Sequence, residues 1–176
     1  SDLVNGDTNG VEDIFVRDMQ SWTTTAASLD NLGTGFGNKI SYAPIISENG
    51  QFVAFRSAST NLTTNYFAGT ENLFVRDLQT GTNFALTTSA TNIFGPVRDQ
   101  TGRYFAFGAT RTGLRFLGVW DSQSKQSVIS NSVAGDVTAI SLSPGGAFAA
   151  FSTNHQSVSI ANLSSNTITS ISSDLT

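Results

Sequence analysis

Cysteine is absent from the 176 residues, and histidine occurs once, as His155. A disulfide-stapled mini-domain, a thiolate zinc site and a cysteine nucleophile are therefore excluded. A lone histidine cannot build a multi-histidine zinc site, and no Gly-x-Ser-x-Gly elbow accompanies it for triad chemistry. Charged residues make up only 12% of the chain, and the net charge is -4. Lysine occurs only as Lys39 and Lys125. No basic stripe for nucleic acid and no polybasic patch for a membrane surface is present. No apolar run reaches the ~18 residues needed to cross a bilayer as a helix, so membrane insertion is not expected.

What is present is a polar, neutral chain with an apolar framework. Ser, Thr and Asn supply roughly a third of the residues, well above ordinary usage. Hydrophobic residues make up 39%, including 13 Phe, which is enough for a core and argues against disorder. A hydroxyl-rich surface of this kind leads us to expect an extracytoplasmic bacterial protein: periplasmic, secreted or on the cell surface. The chain starts at Ser1 with no signal-like segment, and so reads as a processed or excised piece.

The chain repeats internally. Ser47-Glu-Asn-Gly-Gln-Phe-Val-Ala-Phe55 aligns with Asp99-Gln-Thr-Gly-Arg-Tyr-Phe-Ala-Phe107 and with Ser143-Pro-Gly-Gly-Ala-Phe-Ala-Ala-Phe151. The glycines at 50, 102 and 146 give a period of 44 to 52 residues, which is propeller-blade spacing. A second motif follows each copy, clearest as Asn72-Leu-Phe-Val-Arg-Asp-Leu-Gln-Thr-Gly81. Its weaker copies are Gly118-Val-Trp-Asp-Ser-Gln-Ser124 and Ser159-Ile-Ala-Asn-Leu-Ser-Ser165. Another copy, Asp13-Ile-Phe-Val-Arg-Asp-Met-Gln20, stands near the start without a partner motif before it.

One repeat reads as four short strands at about 42–46, 51–57, 72–78 and 82–88. Glycine supplies the positive φ of the first turn. Phe52-Val-Ala-Phe55 and Phe105-Ala-Phe107 are apolar on both faces. A sheet with one wet face would alternate, whereas a blade between neighbouring blades would not. The expected fold is all-β, a propeller of four-stranded antiparallel blades with about three and a half blades present, as a partial ring or half-ring. The expected divisions are a half blade at 1–39 and blades at 40–91, 92–134 and 135–176.

The paired motifs Ser-x-x-Gly-x-x-x-Ala-Phe and Asn-Leu-Phe-Val-Arg-Asp-Leu-x-Thr-Gly resemble the WD-repeat-like, TolB-type bacterial β-propeller family. The opening stretch from Ser1 to Asp18 is especially similar. Trp120-Asp121 and Ala161-Asn162 depart from the Arg-Asp of the pattern, so no role for that pair extends to every blade. The resemblance implies a protein partner, bound through a ring face or the channel.

Candidate sites are few. Asp7, Asn9 and Asp13, with the Val11 carbonyl and Glu12 nearby, place hard oxygens in a glycine-turned loop and are candidate calcium ligands. The plain alternative is a polar hairpin loop. Arg17 and Arg76 recur after Phe-Val and are candidate partner contacts; the structural alternative pairs each Arg locally, with the neighbouring Asp capping the next turn. Tyr66 and Phe67 in the long loop, with Trp22 and Trp120, are candidate aromatic anchors. Asn61 and Asn162 head formal glycosylation sequons. The sialidase Asp-box is not matched, and no acids recur as a glycosidase pair.

A non-catalytic protein-interaction scaffold is therefore expected, its partner a separate protein or the remaining blades of the same propeller. The alternatives are the propeller portion of a larger peptidase-like enzyme, and a self-assembling structural subunit or homodimer joined through open edges.

Overall fold

A computed structural model of the chain describes residues 3–65, 71–154 and 157–172. Among these residues there are fourteen strands and no α-helix. By contact the chain divides into two compact units, Ser1–Pro44 with Gln51–Ser89, and Ile45–Gly50 with Ala90–Thr176.

The first unit holds a two-stranded sheet of β1 (Phe15–Arg17) and β2 (Thr24–Ala26). A four-stranded sheet follows, made of β3 (Ser41–Ile46), β4 (Phe52–Ser57), β5 (Asn72–Asp77) and β6 (Thr82–Ala85) in that order. Only the tip at 45–50 is grouped with the second unit. All six residues of β5 are buried, and so are all of β4 except Arg56. This is the two-faced burial expected from the absence of apolar–polar alternation. Ile14, Ala27, Val53, Phe55, Leu62 and Phe74 form the core of the unit. The Phe55 and Phe74 rings lie 6.1 Å apart on directly paired positions of β4 and β5. Each such ring contributes roughly 1.5–3 kcal/mol by leaving water.

The second unit holds two sheets of the same topology. The third sheet is β7 (Asn92–Arg98), β8 (Tyr104–Arg111), β9 (Leu114–Asp121) and β10 (Gln126–Ser132). The fourth is β11 (Val137–Leu142), β12 (Phe148–Thr153), β13 (Ser157–Asn162) and β14 (Thr167–Ser170). Every pairing with a resolved register is antiparallel. Ala106, Leu117 and Val119 of the third sheet share one core with Ala149, Phe151 and Ala161 of the fourth.

The expected first turns are observed. Gly50, Gly102 and Gly146 have φ of 71°, 69° and 68°. Each donates its amide to the carbonyl three residues back, at 3.0, 3.1 and 2.9 Å. The expected strand at 82–88 ends early, at Ala85. The reason is local: the Leu86 amide bonds to the Leu73 carbonyl at 2.8 Å, and the Thr87 hydroxyl takes the Leu73 amide at 2.9 Å. A side chain thus replaces the backbone partner, and the regular ladder stops.

Candidate functional site

An Asp or Asn at the end of the strand that carries each copy of the second motif turns the chain. Asp18 Oδ1 accepts the amides of Gln20 and Ser21 at 2.7 and 3.2 Å. Asp77 Oδ1 accepts those of Gln79 and Thr80 at 3.0 and 3.3 Å. Asp121 Oδ1 accepts that of Gln123 at 3.0 Å. Asn162 Oδ1 accepts those of Ser164 and Ser165 at 3.0 and 3.1 Å. These are Asx turns, in which a short side chain imitates a backbone acceptor. Four residues on, the chain enters the left-handed region each time, at Trp22 (φ 58°), Gly81 (69°), Lys125 (58°) and Asn166 (53°). The Arg-Asp pair is broken in the third and fourth sheets, but the turn is not. Only a carboxylate or carboxamide oxygen at its second position is needed.

A second repeated device fixes the start of the third strand. The Ser28 hydroxyl takes the Ile14 amide at 2.9 Å and donates to Asp13 Oδ1 at 2.6 Å. The Thr87 hydroxyl takes the Leu73 amide at 2.9 Å and donates to Asn72 Oδ1 at 3.1 Å. Ser172 takes the Val158 amide at 3.0 Å. The spacing of fourteen residues between amide and hydroxyl is visible in the sequence, but nothing in composition marks these hydroxyls as special.

The candidate calcium loop can now be placed. Asn9 Nδ2 donates to Asp13 Oδ2 at 2.6 Å and to the Gly37 carbonyl at 2.9 Å, while Asn9 Oδ1 accepts the Val11 amide at 3.1 Å. Asn9 and Asp13 are thus bonded to each other, and both Asp13 oxygens accept from protein donors. Among the described residues no group of three or more His, Asp or Glu is placed to hold a metal ion.

The two arginines differ. Arg17 is exposed; its Nη1 donates to Thr24 Oγ1 at 2.8 Å, and its guanidinium lies 5.7 Å from the centre of the exposed Trp22 ring. Arg76 is buried at 5% exposure, and its Nη1 donates to Asn83 Oδ1 at 3.1 Å. Burial pulls its guanidinium below the ordinary value, and the charges of Asp30 and Asp77 oppose that pull. Arg76 presents no surface to a partner, and its local structural role prevails. Trp120 is not an exposed anchor: it is 2% exposed, with its ring 6.1 Å from that of Phe105. Tyr66, Phe67 and His155 lie outside the described residues. Both sequon asparagines use their side chains internally: Asn61 Oδ1 accepts the Asn38 amide at 3.0 Å, and Asn162 holds its turn.

Sequence reading also missed two charged clusters. The Tyr42 hydroxyl donates to Glu71, whose other oxygen meets Arg56 Nη1 at 3.2 Å. The bond to Glu71, with burial, raises the Tyr42 phenol above its ordinary value. Arg103 grips Asp121 with two bonds of 2.8 and 2.9 Å. Burial pushes the Asp121 carboxyl up, but the Arg103 bonds and the Gln123 amide bring it below the ordinary value.

No protein-family model matches the sequence, and no curated protein matches it. Solved structures do. An oligogalacturonate lyase in complex with manganese matches with a TM-score of 0.56 at 12% identity, over 93% of this chain and 43% of that one. The β-propeller domain of Cps50 (Swd1) from Myceliophteria thermophila matches with a TM-score of 0.53 at 15% identity, over 76% of this chain and 40% of that one. The fold is a β-propeller. TolB from Acinetobacter baumannii also matches, over 91% of this chain and 37% of that one, at 17% identity and a TM-score of 0.49. At these identities the likeness is one of fold alone. The chain spans about two fifths of the lyase and of the Swd1 domain, so a partial propeller fits.

Proposed function

We propose that this chain is a non-catalytic protein-interaction scaffold built from propeller blades, of the TolB-like kind and working outside the cytoplasm. One observation carries this reading. The polar residues that recur from repeat to repeat, Asp18, Asp77, Asp121 and Asn162, all serve as turn acceptors within their own hairpins. The repeated chemistry is therefore architectural, and surface is what remains for function. The hydroxyl-rich, weakly charged composition supports the extracytoplasmic setting. The exposed Arg17–Trp22 pair, a cation over an aromatic face, is the contact we assign to a protein partner.

The test is photo-crosslinking in the cells that make the protein. A photoreactive residue replacing Met19 or Trp22, both exposed, should give discrete adducts with a protein found outside the cytoplasm. Absence of adducts at both positions, or turnover of oligogalacturonides by the purified chain, overturns the reading.

A further inference from the structure

The same rung of the repeat is filled differently in each four-stranded sheet. Phe55 pairs with Phe74 in the second sheet, Phe107 with Gly118 in the third, and Phe151 with Ser159 in the fourth. The Phe55 and Phe74 rings lie 6.1 Å apart and fill the first of these rungs. The Phe107 ring lies over Gly118 so closely that a Cβ there would meet it at 2.3 Å. On the next rung of that face, Phe116 stands edge-on to Phe107 with its centre 6.2 Å away. The fourth sheet has neither a second ring nor a covered glycine. Ser159 faces Phe151, and the next rung pairs Thr153 with Ser157, whose hydroxyls bond at 2.7 Å.

A cleft of about 510 Å³ opens where the rings are missing. That lies within the roughly 300–1,000 Å³ of small-ligand sites. Its floor is the fourth sheet around Ser159, Ile168 and Ser170, and its wall is the connection from β10 to β11 at 132–135. Both belong to the second unit. Ser170 pairs with Ser159 and Ile168 with Ala161, on the side of the sheet that shares a core with the third. Phe148, Val158 and Ile160 alternate onto the other side, so a blade packed there would leave the cleft open. The wall is tied down before any ligand arrives. The Asn154 amide donates to the Asp136 carbonyl at 3.0 Å, and Asn154 Oδ1 accepts the Asp136 amide at 3.2 Å. The Val133 amide donates to the Arg115 carbonyl at 2.9 Å. A pre-formed wall spares the ligand the cost of ordering it.

The lining selects the chemistry of the ligand. None of the lining residues is charged. Asp136, next to the wall, is already bonded to Thr110 and Arg115 at 2.8 and 2.9 Å. An ion entering here would lose its hydration with nothing in return. The hydroxyls of Ser132, Ser159 and Ser170 can each donate and accept, and Val133 and Ile168 add apolar surface between them. Ser159 is decisive. It is only 9% exposed, yet its hydroxyl has no hydrogen-bond partner among the described residues. Buried polar groups are nearly always paired, so this hydroxyl calls for a partner from outside the chain. A purely apolar ligand would leave it unpaired. A ligand with hydroxyls on its rim and C–H groups on its face satisfies every part of the lining.

We infer that this cleft binds a neutral saccharide of one or two sugar units, with a sugar hydroxyl bonded to Ser159. The site goes beyond the scaffold reading and does not rest on it, since Arg17 and Trp22 belong to the first unit.

Saturation-transfer difference NMR on the purified chain reads this out. The probes are glucose, galactose and N-acetylglucosamine, with glucuronate and glucosamine as charged counterparts. At least one neutral sugar should bind saturably, in the millimolar range, and the charged sugars should bind at least about tenfold more weakly. Ser159→Ala should weaken binding roughly 3- to 10-fold. The thermal midpoint of the free Ser159→Ala chain should stay level or rise, because no internal bond is lost. Ser170→Phe, at an exposed strand position, should abolish binding by filling the cleft, and it serves alone should Ser159→Ala fail to fold. Thr169→Ala, which faces the other side of β14, should leave binding unchanged. Failure of all three neutral sugars to bind overturns the inference, and so does equal binding of the charged ones. Binding that survives both cleft variants overturns it as well. A lowered midpoint for Ser159→Ala would reveal an internal bond and remove the premise. Crosslinking at Met19 and Trp22 is independent of all these outcomes, so the scaffold reading and this site can fail separately.

Discussion

The Ser28 hydroxyl donates to the Asp13 carboxylate at 2.6 Å, and Thr87 makes the same bond to Asn72 at 3.1 Å in the next sheet. At Asp13 both oxygens are used, since Oδ2 also accepts from Asn9 Nδ2 at 2.6 Å, so a carboxamide there sets one donor against another. Asp13→Asn should therefore cost about 0.5–1.5 kcal/mol through the lost Asn9 bond. Ser28→Ala leaves the buried Ile14 amide without its acceptor and should cost about 1–3 kcal/mol. Urea unfolding midpoints of the two variants separate these outcomes. No loss for Asp13→Asn would show that the Asn9 bond contributes nothing to stability.

The left-handed position of the Asx hairpins offers a comparison across repeats. Gly81→Ala keeps ordinary clearance, since the new Cβ would lie 3.6 Å from Arg76 Nη2. Its cost is thus the backbone penalty alone, roughly 1–2 kcal/mol. The reverse change, Lys125→Gly, should be neutral or stabilising by up to about 1 kcal/mol, because relief of the φ offsets the greater freedom of the unfolded chain. Thermal melts of both variants give the signs.

Glycines with the same φ should tolerate alanine very differently. A Cβ on Gly50 meets nothing within 4 Å, whereas one on Gly146 would sit 1.9 Å from the Tyr104 ring. Gly50→Ala should cost about 1–2 kcal/mol from the backbone. Gly146→Ala adds overpacking, typically a further ~1–3 kcal/mol. Tyr104→Ala in the Gly146→Ala background should recover part of the added loss. Similar denaturation midpoints for the two single variants would show that the turn at 143–146 is not pressed against Tyr104.

Acid should destabilise the chain through its hydrogen-bonded carboxylates. Asp18 is held below its ordinary value first by the Gln20 amide, and Asp136 first by the Thr110 hydroxyl. Asp121 is raised by burial but lowered further by Arg103 and Gln123. A carboxylate lowered in the folded state adds stability above its unfolded pKa, and that stability drains away as pH falls through the folded value. Stability should accordingly be flat from neutral pH down to about 5 and fall below about 4. Asp121→Asn should weaken this acid dependence, measured as urea midpoints at about pH 7, 4 and 2.5. An unaltered slope would mean that Asp121 titrates alike in the folded and unfolded chains.

Much of the fold was legible from residue order. The glycines at 50, 102 and 146 punctuate the chain, and Phe-Val-Ala-Phe runs mark strands that must be covered on both sides. Strand ends were less legible. Thr87 ends the fourth strand of its sheet through a hydroxyl bond that no propensity encodes. Trp120 read as an anchor because an aromatic looks the same in sequence whether buried or exposed, and only packing against Phe105 decides.

The sequence by itself determined the repeat, the turn positions and the all-β architecture, because turns and strand periods depend on neighbours along the chain. The tertiary structure decided which polar groups are spent. Arg17 and Arg76 share a motif, yet one stands in water over Trp22 and the other is buried against Asn83. It also decided that Phe148 is exposed where its counterpart Tyr104 packs against the next sheet. Burial depends on residues far away in the chain, and only the folded arrangement brings those together.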